Sequence, residues 1–185
     1  MSYDSAATRR RILDAAYVEF ADRGFANARV NRIAAQAKAN KQAIYLYFES
    51  KEGLFDAVLE NRLGILADMV SFTPDNLTGY IGALFDYMVE HPNLLRLTHW
   101  KSLERPEATK QERESHLTKA SELAEAVGVD PARGMDIFML TLAMAQAWNT
   151  TATSIRESNG SHQTRLKQHR EALIEAVTAT VNALT

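Results

Sequence analysis

The sequence predicts an all-α protein whose N-terminal end carries a helix-turn-helix arrangement. Apolar residues recur at intervals of three and four along most of the chain, which is the spacing of helices with one buried face. No segment shows the apolar-polar alternation between turns that is typical of a strand. We expect about nine helices, three of them in an N-terminal domain at residues 1–50 and the others in a C-terminal domain at residues 51–185.

The first predicted helix ends at Gly24. Its apolar stripe lies at helical spacing and consists of Ile12, Leu13, Ala16 and Phe20. A glycine is the residue that most readily adopts the left-handed conformation that closes a helix, so Gly24 is expected to end this one. The second predicted helix covers residues 30–37 and follows Arg29, which has no oxygen in its side chain with which to cap the first amides.

The third predicted helix follows the second after a turn of three residues, 38–40. Asn40 occupies the N-cap position, where its side-chain oxygen is expected to accept from the first amides of a helix at residues 41–48. In a helix-turn-helix unit this second helix enters the major groove of DNA. Ile44 and Phe48 are four residues apart and should face the core. If Lys38 must adopt a positive φ, the cost is about 1 kcal/mol.

Capping residues, prolines and glycines divide the remaining sequence into further helices. Ser50 is a natural N-cap for the first of them. Thr73-Pro74 is expected to open the next, because proline is favoured at the first helical position. The six expected helices lie at about residues 50–70, 73–90, 93–103, 107–127, 130–155 and 161–183.

The charges are distributed unevenly along the chain. Residues 1–51 contain nine Lys and Arg against five Asp and Glu, whereas the remainder contains twelve basic and eighteen acidic residues. A basic N-terminal part on an acidic remainder is expected when only one end of a protein meets phosphate. Such a difference carries little weight alone, but it coincides with the helix-turn-helix segment.

Composition and motifs exclude several other classes of function. Cysteine is absent, so disulfides and thiolate chemistry are excluded. The five histidines show no metal-binding spacing, and no phosphate-binding glycine loop or hydrolase nucleophile motif occurs. We therefore expect no enzyme activity, no metal and no cofactor. The sequence begins without an apolar signal segment and has no run of roughly 20 apolar residues, so we expect a cytoplasmic protein and no membrane partner.

Residues 8–59 resemble the DNA-binding domain of the tetracycline-repressor (TetR) family of bacterial transcription regulators. The matching segments are RRRILDAAYVEFADRGF, VNRIAAQA and AIYLYFESKEGLF. The resemblance implies a homodimer joined through the last two helices, and a repressor that leaves a palindromic double-stranded DNA operator when a small organic molecule enters the C-terminal domain. The sequence departs from the family pattern at Lys38, where a glycine is usual, and at Arg29, where a hydroxyl residue is usual.

The candidate DNA contacts lie in and around the third helix. Gln42 can pair with adenine, Lys41 can donate to guanine or phosphate, and Ala43 can touch a thymine methyl group. Tyr45 has either a packing role or a DNA contact, and Leu46 faces either DNA or solvent. The complete predicted set is Arg29, Asn40, Lys41, Gln42, Ala43, Tyr45, Tyr47 and Lys51, in which Tyr47 and Lys51 are expected at the phosphate backbone.

Aromatic and polar residues of the C-terminal domain are candidates for a ligand pocket. Pockets combine an apolar lining with a few polar groups, although aromatic residues at helical spacing are more often plain core. The predicted ligand-binding set is Tyr87, Arg96, His99, Trp100, Met144 and Trp148. The mixture suggests an uncharged or weakly anionic organic molecule. The alternative function is a helical small-molecule-binding or scaffold protein that no longer reads DNA specifically, which the departures at Lys38 and Arg29 would favour.

Overall fold

The computed structural model describes residues 2–185, with side chains from Ser5 onward. This part of the chain forms ten α-helices and one short 3-10 helix, and it contains no strand, which confirms the all-α prediction. None of the helices described is both long and apolar enough to cross a membrane. The helices are α1 (Ser2–Asn27), α2 (Val30–Gln36), α3 (Lys41–Phe48), α4 (Lys51–Met69), α5 (Leu77–Glu90), α6 (Pro92–Glu104), α7 (Lys110–Val127), α8 (Pro131–Thr150), α9 (Thr153–Arg156) and α10 (His162–Leu184).

The helices form two compact units. The first, here called the head unit, runs through Leu66 and also contains Pro92–Glu107, so it includes α6. The second, the body unit, consists of Ala67–His91 and Ala108–Thr185. The division into functional domains at residue 50 stays a prediction, because these units are defined by packing alone.

The head unit is built around an aromatic cluster. The ring of Phe20 lies edge-on to Phe55 with 5.0 Å between centroids, and Phe25 packs edge-on to Phe55 at 5.4 Å. Phe20, Phe55 and Leu97 of α6 are fully buried. Edge-to-face aromatic pairs add to the stabilisation that burial provides, so this cluster fixes how α1 and α4 pack.

Gly24 breaks α1 at the predicted position, but its φ of 73° and ψ of 174° are not those of the expected left-handed cap, and helical backbone resumes as far as Asn27. This region of backbone conformation is populated almost only by glycine. A Cβ atom here would also lie 2.8 Å from the ring of Trp100, so the close approach of α6 requires glycine as well. Beyond the break, the amides of Phe25 and Ala26 both donate to the Glu104 carboxylate, at 2.5 and 3.1 Å.

Other polar contacts within the head unit also join α6 to its neighbours. Arg96 Nε and Trp100 Nε1 both donate to the carbonyl oxygen of Ala21, at 3.0 and 3.2 Å. Arg105, just after α6, donates through both terminal nitrogens to the carboxylate of Asp56 on α4. The segment from residue 92 to residue 107 is therefore bound to both α1 and α4.

The body unit packs α5, α7, α8 and α10 around one core. Its largest fully buried side chains include Phe85, Phe138, Leu123 and Ile137, and Trp148 is 2% exposed. At Gly134 a Cβ atom would lie 2.6 Å from the Ala120 carbonyl oxygen and 2.6 Å from the Ala124 Cβ. The absence of a side chain at this position allows α7 and α8 to touch directly.

Several expected boundaries were wrong in detail. Pro74 opens a 3-10 helix (Pro74–Asn76) rather than α5, and the side chain of Asn76 accepts from the Gly79 amide to begin α5. The expected helix at residues 130–155 ends at Thr150, and the short α9 follows, which makes ten helices rather than about nine. The last helix begins close to the expected residue 161, and the Ser161 side chain caps it by accepting from the Thr164 amide.

The two helices through which the family resemblance implies a dimer each have an apolar stripe, and part of each stripe lies in the core of the body unit. The stripe residues are Ile137, Leu140, Met144 and Trp148 on α8, and Leu166, Leu173, Ile174, Val177 and Val181 on α10. Leu173 and Val177 of α10 are 4% and 0% exposed, and Ile137 and Trp148 of α8 are also buried. A stripe that faces the protein's own core has the same spacing as one that faces a partner. In the stripe of α8, Leu140 lies at the surface, at 47% exposure, and Met144 is half-buried.

Candidate DNA-binding site

The third helix begins as the sequence predicts. Asn40 is extended (φ −86°, ψ 157°), and its side-chain oxygen accepts from the Ala43 amide at 2.7 Å. The helix then runs over Lys41–Phe48, within the predicted bounds. A cap of this kind contributes about 1 kcal/mol and leaves the other first-turn amides free, with the positive end of the helix dipole, to face an anion.

One face of α3 is buried and the other is presented to solvent. Ile44 and Phe48 are 0% and 5% exposed and anchor the helix in the core of the head unit, as expected. The exposed side chains are Lys41, Gln42, Tyr45 and Leu46, whereas Ala43 and Tyr47 are half-buried. Tyr45 is 40% exposed, which favours a DNA contact over a packing role for this side chain. Lys41 Nζ lies 5.7 Å from the centre of the Tyr45 ring.

The turn between α2 and α3 keeps its geometry without glycine. Lys38 has φ 51°, the positive value that the sequence left as a condition, and its side chain is exposed. The preceding residue, Ala37, is buried, and its carbonyl oxygen accepts from Arg11 Nε of α1 at 3.2 Å. The departure at Lys38 therefore costs local strain but leaves the turn intact.

The start of α2 is held by Glu19 rather than by its own cap. Arg29 has no side-chain cap, as predicted, but its backbone amide donates to Glu19 Oε1 at 2.9 Å. Arg32 also donates to the same oxygen, with Nε at 2.8 Å. This arrangement leaves the Arg29 side chain exposed at the surface, while the carboxylate, 7% exposed, joins α1 to α2.

Sequence reasoning missed Glu19. Burial alone would raise the pKa of its carboxyl group. The hydrogen bonds from Arg32 and from the Arg29 amide, together with the charges of Arg32 and Arg23, hold the pKa below its ordinary value. The available signal was an acidic residue beside the apolar stripe of α1, combined with the absence of a capping side chain at the start of α2.

Lys51 lies at the beginning of α4, where the Ser50 hydroxyl accepts from the Gly53 amide at 2.9 Å. Its Nζ donates to the Ala26 carbonyl oxygen at 3.2 Å and lies 4.6 Å from the centre of the Phe25 ring. These contacts orient the ammonium group at a helix N-terminus, where positive charge and backbone amides both favour a phosphate.

Tyr47 is connected to the first turns of α1. Its hydroxyl donates to Ser5 Oγ at 3.1 Å, and the guanidinium of Arg9 lies 5.1 Å from the centre of the adjacent Phe48 ring. The Tyr47 hydroxyl is thus at the edge of α3 and close to the basic segment of α1. This location suits a phosphate contact better than a contact to a base edge.

The six candidate ligand-binding residues are divided between the two units. Tyr87, Met144 and Trp148 belong to the body unit, whereas Arg96, His99 and Trp100 belong to the head unit. None of the six lines the groove of about 400 Å³ between α1 and α4, whose walls include Leu13, Asp14 and Arg62. No group of three His, Asp or Glu side chains placed to bind a metal occurs in the part of the chain that the structure describes.

Comparison with known proteins agrees with the arrangement at α2 and α3. Residues 12–58 match the family described as bacterial regulatory proteins of the tetR family, and residues 76–178 match the tetracyclin repressor-like C-terminal domain. The chain belongs to the TetR family. The two matched regions together extend over most of the sequence, so this assignment applies to the C-terminal part as well as to the helix-turn-helix.

Individual TetR-family relatives support the same assignment. The chain is 42% identical over 150 residues to the HTH-type transcriptional repressor SCO4008 of Streptomyces coelicolor, covering 77% of this chain and 78% of the relative. It is 34% identical over 103 residues to the HTH-type transcriptional repressor NicS of Pseudomonas putida, covering 52% and 49%. The crystal structure of the transcriptional regulator SCO4942 of Streptomyces coelicolor superimposes with a TM-score of 0.76 at 34% identity, covering 92% and 96%. The protein is therefore a DNA-binding transcriptional regulator.

Proposed function

We propose that this TetR-family protein is a repressor that binds a palindromic operator as a homodimer and releases it when a small molecule binds. The observation that carries the proposal is the exposed face of α3, capped by Asn40 and anchored by Ile44 and Phe48. A helix fixed on one side and exposed on the other can be placed in the major groove without rearrangement. We expect such a regulator to act in the cytoplasm and to have no catalytic activity.

The residues that contact DNA are proposed to divide into two groups. Gln42, Lys41 and Ala43 face the base edges, with Tyr45 beside them. Arg29, Tyr47 and Lys51 contact phosphates on either side, and Asn40 orients the helix. The departures at Lys38 and Arg29 do not favour loss of specific DNA reading, because the turn is intact and the α2 amide is held by Glu19.

Operator selection from random duplexes tests the repressor proposal. The protein is expected to enrich a two-fold symmetric sequence and to bind it more tightly than random duplex at the same salt concentration. Gln42→Ala should lose about 1–3 kcal/mol of binding free energy per half-site and relax the preference at one base position in each half-site. The proposal is wrong if no duplex is preferred to heparin, or if Gln42→Ala weakens every single-base variant equally.

The dimer is proposed to form through α8 and α10. The exposed side of α8 carries Met139 and Leu140, which are 55% and 47% exposed, together with exposed Ala143. Small side chains on the exposed side of α10 would let a partner helix approach closely, and these are Ala172, Ala176, Ala179 and Ala183. The two head units of such a dimer can read half-sites about one DNA turn apart.

Sedimentation measurements on charged variants test the interface. Leu140→Glu and Ala176→Glu each place a carboxylate on the proposed contact surface, and each should shift the protein from dimer to monomer because burying an unpaired charge is costly. Gln111→Glu on α7 is a matched control, since Gln111 is also exposed and helical but lies outside the surface. A dimer that survives both interface substitutions would locate the contact elsewhere.

The effector is proposed to bind in the body unit near Trp148. Of the candidates in the head unit, Arg96 and Trp100 already donate to the Ala21 carbonyl oxygen. We therefore assign them a structural role rather than a ligand-binding role. In the body unit, the ring of Trp148 lies 5.3 Å from that of His169. His169 Nε2 and Asn149 Nδ2 are buried without a hydrogen-bond partner among the described residues.

Those two nitrogen atoms support a ligand with hydrogen-bonding groups. Buried polar atoms nearly always have a hydrogen-bond partner. Two such atoms without a partner in the same unit therefore favour a bound molecule or water. Burial and the charge of Arg165 lower the pKa of His169, which favours the neutral imidazole. A neutral imidazole and an amide fit the uncharged or weakly anionic compound that the sequence suggested.

Fluorescence can locate the effector because each unit contains one tryptophan. The variant Trp100→Phe leaves Trp148 as the sole reporter of the body unit, and Trp148→Phe leaves Trp100 as the reporter of the head unit. A compound that releases the operator should change the Trp148 emission directly and should bind more weakly to His169→Ala. An effector must also bind the DNA-free state more tightly than the DNA-bound state. Suppose instead that a compound releases the operator without changing the Trp148 emission and binds His169→Ala as tightly as the wild type. That result would place the effector site outside this region.

A further inference from the structure

Leu46 is exposed to an unusual degree for an apolar side chain. At 81% it is the most exposed large hydrophobic residue in the part of the chain that the structure describes. Its neighbours on the opposite face of α3, Ile44 and Phe48, are buried. The backbone hydrogen bonds of the helix and the cap at Asn40 do not require a leucine here, so folding of the head unit gives no reason for it.

The position of Leu46 is set by the same contacts that orient α3. Leu46 follows Gln42 by four residues, which places both side chains on one face of the helix. They are separated by about 6 Å along the helix axis, from a rise of about 1.5 Å per residue. Successive base pairs are spaced by roughly 3.4 Å, so with α3 lying along the major groove the two side chains would be over base pairs one or two steps apart.

The chemistry of the major groove restricts what a leucine can contact there. Guanine, adenine and cytosine present hydrogen-bonding atoms, from which a leucine would remove water without replacing it. Thymine alone adds an apolar group, its 5-methyl. We propose that Leu46 determines specificity by packing on a thymine methyl group, one or two base pairs from the base pair read by Gln42. This inference rests on the proposed operator binding and adds a residue and a base to it.

Replacement of thymine by deoxyuridine tests the inference, because it removes the methyl group and leaves base pairing unchanged. In a selected operator, each thymine is replaced in turn, together with its symmetry mate. At one thymine position the wild type should lose about tenfold to a hundredfold in affinity, because the dimer loses two symmetric methyl contacts of about threefold to tenfold each. Leu46→Ala should lose a similar factor on the thymine operator and show no further loss on the deoxyuridine operator.

Two control variants isolate the contact. Leu103→Ala removes another highly exposed leucine, 75% exposed at the end of α6, and should bind both operators as the wild type does. Gln42→Ala should bind more weakly but keep the sensitivity to deoxyuridine, because its own contact is to a different base pair. Since Leu46 is exposed, its replacement by alanine leaves the core unchanged.

The possible outcomes separate this inference from the proposed function. If a sequence is selected but no deoxyuridine replacement weakens the wild type, or if Leu46→Ala keeps the full sensitivity, the Leu46 contact is refuted and operator binding stands. If no duplex sequence is selected at all, the proposed function itself fails. Loss of selective binding by Leu103→Ala would show that exposed leucines matter for stability, and this too would overturn the assignment.

Discussion

The carboxylate of Glu19 on α1 accepts a hydrogen bond from the backbone amide of Arg29, the residue that precedes α2, at 2.9 Å. The same oxygen accepts from Arg32, so one buried acid satisfies a backbone donor at the helix start and pairs with a basic side chain one turn later. The orientation of the helix-turn-helix on α1 thus depends on one charged contact as well as on apolar packing.

Replacement of Glu19 by glutamine is expected to destabilise the protein in a pH-dependent way. The pKa of Glu19 is lowered in the folded state, so its contribution is fully present above the unfolded pKa of about 4.3 and is lost as pH falls through the folded pKa. At pH 7, Glu19→Gln should lower the free energy of unfolding by about 1–3 kcal/mol. Urea unfolding at pH 7 and at pH 3 measures this.

The difference in the free energy of unfolding between the wild type and Glu19→Gln should therefore decrease as the solution becomes acidic. Glu114→Gln provides the control, because the Glu114 side chain is 65% exposed and its ion pair with Lys110 is at the surface. That variant should unfold like the wild type at both pH values. A destabilisation of Glu19→Gln that stays constant with pH would show that packing, and not the charge, carries the contact.

Replacement of Lys51 by alanine is expected to weaken binding to all DNA sequences by the same factor. Its ammonium group lies at the start of α4, beside the Ala26 carbonyl oxygen, and we propose that it contacts a phosphate and no base. Because a homodimer has two Lys51 residues, the loss of both phosphate contacts should reduce the slope of log affinity against log salt by about 2. Titrations at several salt concentrations measure the slope, with Lys110→Ala as control because Lys110 is 89% exposed in the body unit. A changed base preference in Lys51→Ala would contradict the phosphate assignment.

Replacement of Lys38 by glycine is expected to stabilise the protein. Lys38 has φ 51°, where a residue with a Cβ is strained by about 1–2 kcal/mol, and glycine returns part of the gain through its larger unfolded-state entropy. The net increase in the free energy of unfolding should be about 0.5–1 kcal/mol. Lys38→Ala keeps the strain and should resemble the wild type. Equal stabilisation by alanine and glycine would show that the charge of Lys38 matters more than its backbone conformation.

Two glycine-to-alanine substitutions should have opposite effects on stability. At Gly134 the added Cβ meets the Ala120 carbonyl and the Ala124 side chain, so α7 and α8 must separate and the protein should lose about 1–3 kcal/mol. At Gly64, which is exposed on α4 with no atom within 4 Å of the added Cβ, alanine should add about 0.5–1 kcal/mol. Thermal unfolding of the two variants measures both changes in stability. If both substitutions stabilise the protein, or both destabilise it, the packing described here is contradicted.

The sequence predicted the features that depend on neighbouring residues. The cap at Asn40 and the break at Gly24 are each determined by a few consecutive residues, and both are present; the positive φ of Lys38, which the sequence left as a condition, is present as well. The all-α fold and the TetR family were also predicted correctly, since periodicity and local motifs carry them. At Thr73-Pro74 local reasoning failed, because Asn76 offers a competing cap three residues later.

Contacts between distant segments could not be predicted in the same way. Glu19 with Arg29, Arg105 with Asp56 and Glu104 with the amides beyond Gly24 pair residues whose separation in sequence gives no signal. The apolar stripes of α8 and α10 were ambiguous for a related reason. Periodicity shows which residues share a helix face, but it does not show whether that face meets the core or a second chain.

The pairing of Glu104 with the Phe25 and Ala26 amides has a practical consequence for hybrid regulators. A DNA-reading part cut from this protein at residue 66 would lose that carboxylate and also the indole that covers Gly24. Exchange of operator preference between relatives should therefore transfer residues 92–107 along with the N-terminal segment, or restrict itself to substitutions on the surface of α3. A single splice point would separate two stretches of sequence that fold as one piece.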